Sequence, residues 1–238
     1  MSQHGSCSKN KYKMGKNKLE RFAENKTFNN LFEYSFERIK NEGFPLKGRW
    51  RQDFFKNDNP IVLELGCGKG EYTVGLAREH RDVNYIGVDI KGSRMWVGLC
   101  AARDEGLNNV AFLRTHIELI DNFFAENEVD EIWVTFPDPQ PSKARKRLTG
   151  PNFLDRYRKF LKHEGVVNLK TDSDIMYEFT VETVKEAAYP IYYNYDNLYA
   201  NDDELEVKKI RTYYEQIWLD KGLTIKYIRF GINRSRSL

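Results

Sequence analysis

The residues best suited to chemistry lie where short apolar runs end. The run Ile61–Leu65 is followed by the loop Gly66-Cys67-Gly68-Lys69-Gly70, and alternating glycines let the backbone pass close to a ligand without hindrance from a Cβ atom. Asp89 ends the next apolar run, 23 residues after Gly66. A carboxylate there can accept hydrogen bonds from both hydroxyls of a ribose. The pattern predicts a nucleoside-binding site built from Gly66, Gly68, Gly70 and Asp89.

The same loop indicates which nucleoside cofactor fits. A dinucleotide fingerprint needs its third glycine at position 71, and Glu71 stands there instead. An acid at the head of a helix would repel a pyrophosphate. S-adenosylmethionine has no phosphate and carries positive sulfonium and ammonium groups, so Glu64 and Glu71 are tolerable beside it. The loop therefore predicts an S-adenosylmethionine site rather than an NAD site.

Four further motifs follow in order: F-P-D-P at 136–139, K-R-L-T at 146–149, L-K-T-D at 169–172 and T-Y-Y-E at 212–215. Together with L-E-L-G-C-G-K-G and V-D-I, they resemble the bacterial tRNA (guanine-N7)-methyltransferase family. The resemblance covers about residues 28 to 232. Its first motif is generic to class I methyltransferases, whereas F-P-D-P with K-R-L and the distal T-x-Y-E is far more specific.

The resemblance implies an enzyme that transfers a methyl group from S-adenosylmethionine to N7 of the guanine at position 46, in the variable loop of tRNA. No metal and no obligate protein partner are expected beside the tRNA and the cofactor. The resemblance further implies roles for individual residues. Glu64 and Asp89 would contact the cofactor, Asp138 would be the active-site acid, and Asp172 with Thr212, Tyr214 and Glu215 would contact the substrate.

Two positions depart from the family pattern. His116 stands where the family usually has an acid or an amide, after the third strand of the predicted methyltransferase domain. A neutral imidazole can still accept a hydrogen bond from an adenine amino group, so His116 and the Ile117 N–H are expected at the adenine ring. After Asp138, the family commonly has Trp and then Lys, where this chain has Gln140 and Ser142. Lys143 or Arg145 is the candidate replacement for that lysine.

Two other functions stay open from the sequence. A methyltransferase acting on an exocyclic amine of adenine or cytosine would carry an N/D-P-P-Y/F/W loop, and F-P-D-P-Q lacks the aromatic residue after the second proline. A non-catalytic RNA-binding subunit could keep the fold after losing its chemistry. The chain retains the glycine loop and the acids Glu64, Asp89 and Asp138. Their presence argues against a site that has lost its activity.

The elements that position these residues alternate between strand and helix. The alternation spans about 130 residues and predicts an α/β fold with a doubly wound, mostly parallel, seven-stranded sheet. We expect a disordered basic tail at 1–18, an N-terminal helical segment packed on the core at 19–59, with an apolar helical period from Leu19 to Lys40, and a methyltransferase domain at 60–238. One helix is expected over Glu204–Leu219.

Charge is more informative in its distribution than in its sum. The net charge is only +3, but lysines crowd residues 9–18, and a second basic cluster, Arg145 to Arg147, follows the P-D-P turn. Such clusters can bind phosphates regardless of the nucleotide sequence.

The chain has no apolar run long enough to cross a membrane, and its three cysteines form no CxxC pair. A reducing cytoplasm is the expected location.

Overall fold

The computed structural model describes residues 17–200 and 203–233. Within that part of the chain, eight strands form a single sheet. The strands are β1 (Leu31–Glu33), β2 (Ile61–Leu65), β3 (Asn84–Asp89), β4 (Val110–Arg114), β5 (Val129–Thr135), β6 (Leu161–Thr171), β7 (Ile191–Tyr195) and β8 (Lys226–Gly231).

Seven α-helices and several shorter helical turns connect the strands of the described chain. The α-helices are α1 (Lys18–Asn25), α2 (Phe36–Glu42), α3 (Glu71–Glu79), α4 (Gly92–Asp104), α5 (Pro151–Tyr157), α6 (Asp174–Glu186) and α7 (Tyr213–Asp220). The shorter ones are a π-helix at Trp50–Phe55 and 3₁₀ turns at Ile117–Asn122, Ala144–Lys146, Leu198–Ala200 and Glu206–Lys208.

The strand order across the sheet is β1-β4-β3-β2-β5-β6-β8-β7. The pairs from β1 through β6 are parallel, whereas β8 runs antiparallel to both β6 and β7. The winding reverses between β2 and β5, and ligands of doubly wound sheets bind at that point, outside the carboxyl ends of the strands. The glycine loop leaves β2 and the P-D-P loop leaves β5, so the topology brings the two motifs together.

The central strand β2 shows why the sequence folds this way. All five of its residues are buried, and they divide between the two faces of the sheet. Ile61, Leu63 and Leu65 join one hydrophobic core, while Val62 joins the other. A strand covered on both faces needs a continuous apolar run rather than an alternating one, and Glu64 is the one exception in β2.

The N-terminal segment departs from its prediction. The expected helical period from Leu19 to Lys40 is interrupted, because Leu31–Glu33 pairs with β4 as an edge strand. The Phe32 ring lies 5.1 Å from the rings of both Trp50 and Phe54, so burial among aromatic rings outweighs helical periodicity here. This strand is why the sheet has eight strands where seven were predicted. Of the predicted tail, residues 1–16 lie outside the described chain.

The predicted helix over Glu204–Leu219 is also wrong as a single element. Lys170 Nζ donates to the carbonyl oxygens of Val207 and Ile210, at 2.8 and 3.1 Å. Those carbonyls therefore bond a side chain of β6 instead of an N–H of a continuous α-helix, and Val207 itself lies in a 3₁₀ turn. Thr212 then starts α7 as its N-cap, and its side chain accepts a hydrogen bond from the Glu215 N–H.

Among the described residues, no helix is both long and apolar enough to cross a bilayer.

Candidate active site

The glycine loop between β2 and α3 is held in a conformation that suits glycine. Gly66, Gly68 and Gly70 all have positive φ, at 83°, 55° and 73°, and other residues rarely adopt such angles. Gly70 has a second constraint, since a Cβ atom there would lie 2.6 Å from the Phe112 ring. A side chain at Gly66 or Gly68 would meet open space. At those two positions the constraint is the backbone angle alone.

Asp89 ties the glycine loop to the end of β3. Its Oδ2 accepts a hydrogen bond from the Gly68 N–H at 2.9 Å, and its Oδ1 accepts one from the Lys91 N–H at 2.8 Å. Each carboxylate oxygen can accept a further bond, so Asp89 can bind two ribose hydroxyls while it shapes the loop. This geometry agrees with the predicted cofactor role, which stays a prediction.

Glu64 lies beneath the loop and is buried. Its carboxylate accepts hydrogen bonds from the Thr73 N–H at 2.8 Å, from the Thr73 hydroxyl and from the Thr135 hydroxyl. Burial raises the pKa of Glu64 to about 7, although these three donors favour the ionised form. Glu64 therefore joins β2 to α3 and β5, and it does not line the cavity beside the loop.

A cavity of about 320 Å³ opens between the glycine loop and the P-D-P loop. The Thr115 side chain is buried in its wall, and its hydroxyl has no hydrogen-bond partner among the described residues. A buried hydroxyl without a partner is costly unless a ligand or water satisfies it. The predicted site residues that line the cavity are Gly66, Asp89, His116, Ile117 and Asp138.

His116 lies at the mouth of this cavity, directly after Thr115. Its side chain is exposed, and Ile117 beside it begins a 3₁₀ turn and is half-buried. Both residues line the space beside Asp89, and the Ile117 side chain also packs against the hydrophobic core. Contact of either one with an adenine ring stays a prediction.

Asp138 lies on a loop with an unusual backbone. Phe136 and Gln140, on either side of it, both have positive φ, at 47° and 46°. Residues in this region store strain, and such strain clusters at functional sites. The Asp138 Oδ1 accepts a hydrogen bond from the Gln140 N–H at 3.0 Å. Its other oxygen has no partner among the described residues, so it is available to a ligand.

The basic cluster after the P-D-P loop divides into two parts. Lys143 and Arg145 are exposed, as the prediction of phosphate contacts requires, and Lys146 lines the cavity. Arg147 is instead buried, 7% exposed. Its Nε donates to the Pro139 carbonyl at 2.9 Å, and its guanidinium lies 4.5 Å from the centre of the Phe179 ring. Arg147 therefore holds the P-D-P loop in place and is not available to phosphates.

The T-Y-Y-E segment approaches the glycine loop from α7. The Tyr213 N–H donates to Glu71 at 2.8 Å, and Lys69 Nζ lies 4.8 Å from the centre of the Tyr213 ring. Tyr213 and Tyr214 are about half exposed, at 50% and 46%. The two rings therefore form an aromatic surface beside the cofactor loop.

Glu215 and Thr212 in the same segment face inward. Glu215 is fully buried and lies 2.7 Å from Lys170 Nζ, and it also accepts a hydrogen bond from the Tyr199 hydroxyl at 2.6 Å. Thr212 is 9% exposed. Asp172 is half-buried, and its carbonyl accepts a hydrogen bond from Lys226. The structure thus brings Tyr214 to the surface, whereas contact between the Glu215 carboxylate and a substrate would require α7 to move.

Sequence reasoning missed the residues that support the site from behind. Thr73 and Thr135 donate hydrogen bonds to Glu64, the Thr115 side chain lines the cavity, Arg147 holds the P-D-P loop, and Lys170 pairs with Glu215. Of these residues, only Arg147 and Lys170 belong to motifs of the sequence analysis, K-R-L-T and L-K-T-D. Membership of those motifs was the one signal of a role at the site. The burial of these two residues could not be read from the sequence, because basic residues are almost never fully buried unless paired.

Solved structures with the same architecture place the fold among the class I methyltransferases. The 16S rRNA methyltransferase KamB matches with a TM-score of 0.59 at 16% identity, over 76% of this chain and 92% of that one. A 16S rRNA (adenine(1408)-N(1))-methyltransferase from Catenulisporales acidiphilia, solved with its cosubstrate SAM, matches with a TM-score of 0.53 at 16% identity, over 80% and 93% of the two chains. At such identities the likeness concerns the fold.

Sequence comparison is more specific. A family model described as "Putative methyltransferase" matches residues 58–228. The tRNA (guanine-N(7)-)-methyltransferase of Bacteroides fragilis (strain YCH46) is 55% identical over 217 residues, which are 91% of this chain and 86% of the relative. That of Christiangramia forsetii is 52% identical over 91% of this chain and 98% of the relative. The chain belongs to the tRNA (guanine-N(7)-)-methyltransferase family.

Proposed function

We propose that the protein transfers the methyl group of S-adenosylmethionine to N7 of a guanine in tRNA, at position 46 of the variable loop. The observation that carries this proposal is the cavity at the switch point of the sheet, which Asp89 lines from one side and Asp138 from the other. One carboxylate is placed to bind a ribose and the other to bind a base. The names of relatives more than 50% identical support the same substrate.

S-adenosylmethionine fits the residues at the cavity. The Asp89 carboxylate can accept hydrogen bonds from ribose hydroxyls. The buried Thr115 hydroxyl has no hydrogen-bond partner among the described residues, and a bound ligand would supply one. At Gly66, Gly68 and Gly70 the loop carries no Cβ that would prevent close approach. When bound, the cofactor supplies an electrophilic methyl group on a positively charged sulfur. His116 and Ile117, which line the same cavity, would contact its adenine.

Methylation of guanine N7 requires no general base. N7 carries a free lone pair at neutral pH, so no proton has to be removed before the methyl group arrives. Orientation alone can lower the barrier of a well-aligned transfer by about 7–11 kcal/mol. The braced P-D-P loop provides such orientation, because Pro137 and Pro139 have fixed φ and Arg147 holds the Pro139 carbonyl.

Asp138 stabilises the transition state rather than the ground state. As the methyl group reaches N7, positive charge spreads over the purine, and the guanine N1–H and amino group become stronger donors. A carboxylate that accepts from this edge therefore binds the transition state more tightly. The unpartnered oxygen of Asp138 is available for this purpose, while its Oδ1 holds the loop through Gln140.

The tRNA is held by groups outside the cavity. Lys143 and Arg145 are exposed beside the P-D-P loop and can neutralise phosphates on either side of the target guanine. Tyr214, with Tyr213, offers a surface on which an unstacked base can rest, as aromatic side chains do in single-stranded RNA recognition. Thr212 caps α7 and Glu215 pairs with Lys170, so these two residues hold this surface in place from within.

The test is to incubate the purified protein with S-adenosylmethionine and an unmodified tRNA transcript, and then to identify nucleosides by mass spectrometry. We expect 7-methylguanosine as the methylated product. Methylated adenosine or cytidine would favour the exocyclic-amine alternative. Tight tRNA binding without any methyl transfer would favour a non-catalytic RNA-binding subunit. An Asp138→Asn variant assayed in parallel controls for contaminating activity.

A further inference from the structure

A second cavity, of about 330 Å³, lies on the α3 side of the sheet and shares no lining residue with the cavity beside Asp89. It is built near the amino ends of β2, β3 and β5, whereas the proposed active site lies at their carboxyl ends. Helix α3 and the turn Glu206–Lys208 complete its walls. Cavities of about 300 Å³ and larger are typical of small-molecule sites.

Aromatic rings make up much of the wall. Trp133 stacks on Tyr227 with ring centroids 6.1 Å apart, and Tyr72 lies 5.1 Å from Trp133. Tyr193 extends the stack from Tyr227 at 6.3 Å, and its ring is 38% exposed. The negative faces of such rings attract cations, most strongly where water is excluded.

The charges around the cavity have the sign that attracts a cation. Glu131, Glu204 and Glu206 line it, against Arg229 as the one guanidinium. Glu131 Oε1 accepts a hydrogen bond from Asn168 Nδ2 at 2.8 Å, whereas Arg229 lies 3.6 Å from Oε2, beyond hydrogen-bond distance. Burial raises the pKa of Glu131, which is the expected result when a carboxylate lacks enough positive charge nearby.

His80, Lys170 and Lys209 are the remaining basic groups near the cavity. His80 Nε2 lies 2.8 Å from Glu206, at the distance but not in the direction of a hydrogen bond. Lys170 Nζ lies 5.5 Å from the centre of the Tyr72 ring, but its charge is paired with buried Glu215. Lys209 Nζ lies 3.8 Å from the exposed Glu206 carboxylate, beyond hydrogen-bond distance. Within the described chain, these three groups are not ion-paired with Glu131 or Glu204.

One polar atom in the wall lacks a partner. Tyr72 is 1% exposed, and its hydroxyl makes no hydrogen bond within the described chain. A buried hydroxyl without a partner costs about 1–3 kcal/mol, and this one belongs to a residue that lines the cavity. A ligand carrying an N–H would satisfy its oxygen.

We propose that this cavity binds a primary ammonium ion carried on a short apolar chain, such as an aliphatic diamine. Glu131 binds the ammonium charge in the interior, and Tyr72 accepts one of its N–H groups. The aromatic rings hold the methylene chain, and Glu206, whose side chain is 55% exposed at the rim, binds a second ammonium group. The site is independent of the methyl-transfer site.

The experiment is isothermal titration of the full-length protein with 1,4-diaminobutane, at constant ionic strength. We expect saturable binding of one molecule per chain. Butane-1,4-bis(trimethylammonium), which carries the same two charges on the same chain but no N–H, should bind at least several-fold more weakly because it cannot bond Tyr72. Absence of saturable diamine binding at millimolar concentration, or equal binding of the two cations, would overturn the proposal.

Three variants locate the binding. Tyr72→Phe removes only the unpartnered hydroxyl, so it should weaken diamine binding by about tenfold, the effect of one hydrogen bond to a charged group, without lowering the melting temperature. Glu131→Gln should weaken it by a similar factor or more. Glu164→Gln alters a carboxylate that is 92% exposed outside the cavity, and it should bind like the unaltered protein. Equal affinity in all three variants would show non-specific attraction to an acidic surface and would refute the site.

Discussion

At the residue scale, three acids near the glycine loop have different environments and therefore different roles. Asp89 has one N–H on each oxygen and space for ribose hydroxyls. Asp138 is exposed on a strained loop, with one oxygen unpartnered. Glu64 is buried and takes three internal donors. The sequence could rank all three as site residues, but it could not show that Glu64 lies behind the loop, because burial depends on the packing of α3 and β5.

Replacing each cavity acid in turn should separate binding from catalysis. Asp138→Asn keeps the oxygen that the Gln140 N–H uses but removes the charge, so methyl transfer should fall by at least about tenfold, or about 1.4 kcal/mol. Affinity for S-adenosylmethionine should stay within a few-fold. Asp89→Asn should chiefly weaken the cofactor. Calorimetric titration with single-turnover rates measures both effects, and an Asp138→Asn enzyme of full activity would remove this residue from the mechanism.

Glu64 should make stability depend on pH. The pKa of Glu64 is raised in the folded protein from an ordinary 4.5 to about 7, so the folded state holds this proton more tightly than the unfolded state. The resulting stabilisation is complete below about pH 4.5 and is lost as the pH rises through 7. Relative to Glu64→Gln, the unfolding free energy of the unaltered protein should fall by about 3 kcal/mol across this range, at 1.36 kcal/mol per pKa unit.

Urea denaturation of both proteins at pH 4.5 and pH 8 measures this difference. The exposed Glu164→Gln serves as the matched control and should track the unaltered protein at both values. If the unfolding free energies of Glu64→Gln and the unaltered protein differ by the same amount at the two pH values, the raised pKa of Glu64 would be contradicted.

At the scale of elements, the predictable parts are those with local signals. The strand β2 followed by glycines and the alternation through β6 both have such signals. The edge strand β1 and the broken helix before α7 do not, because both depend on distant partners. Phe32 packs against Trp50, and Lys170 bonds carbonyls about 40 residues away.

The buried pair of Lys170 and Glu215 should hold α7 against the sheet. Glu215→Leu alone leaves a buried ammonium uncompensated, which should cost about 3–5 kcal/mol of unfolding free energy. Lys170→Met alone should cost a similar amount, since it leaves the carboxylate unpaired. The double variant Lys170→Met with Glu215→Leu should be markedly more stable than either single variant. Chemical denaturation of the four proteins tests this cycle, and additive losses would show that the two residues are not coupled.

At the scale of the whole molecule, the exposed cations and aromatic rings beside the active site define where tRNA would lie. The basic cluster was predictable from the sequence as a phosphate contact. The sequence could not show which members of the cluster are exposed. In the structure, Arg147 is buried against Phe179, while Lys143 and Arg145 are exposed. The lysines at 9–16 lie outside the described residues and are a second candidate for RNA binding.

Neutralising Lys143 and Arg145 together should weaken tRNA binding for every substrate alike. The slope of log affinity against log salt should become shallower by about one to two units, because up to two phosphate contacts are lost. Cofactor affinity should not change. Filter binding at several salt concentrations measures the slope. Deleting residues 2–16, which keeps the Asn17 cap of α1, is the contrast, and a larger loss from this deletion would assign the main phosphate contacts to the tail.

The central claim is tested most directly by locating the methyl group on tRNA. Borohydride reduction followed by aniline cleaves RNA at 7-methylguanosine and leaves other methylated nucleosides intact. After reaction with the enzyme and S-adenosylmethionine, an unmodified tRNA transcript should be cleaved at one place, guanine 46 of the variable loop, and Asp138→Asn should leave it uncut. Methyl incorporation without cleavage, or cleavage at other guanines, would contradict the account.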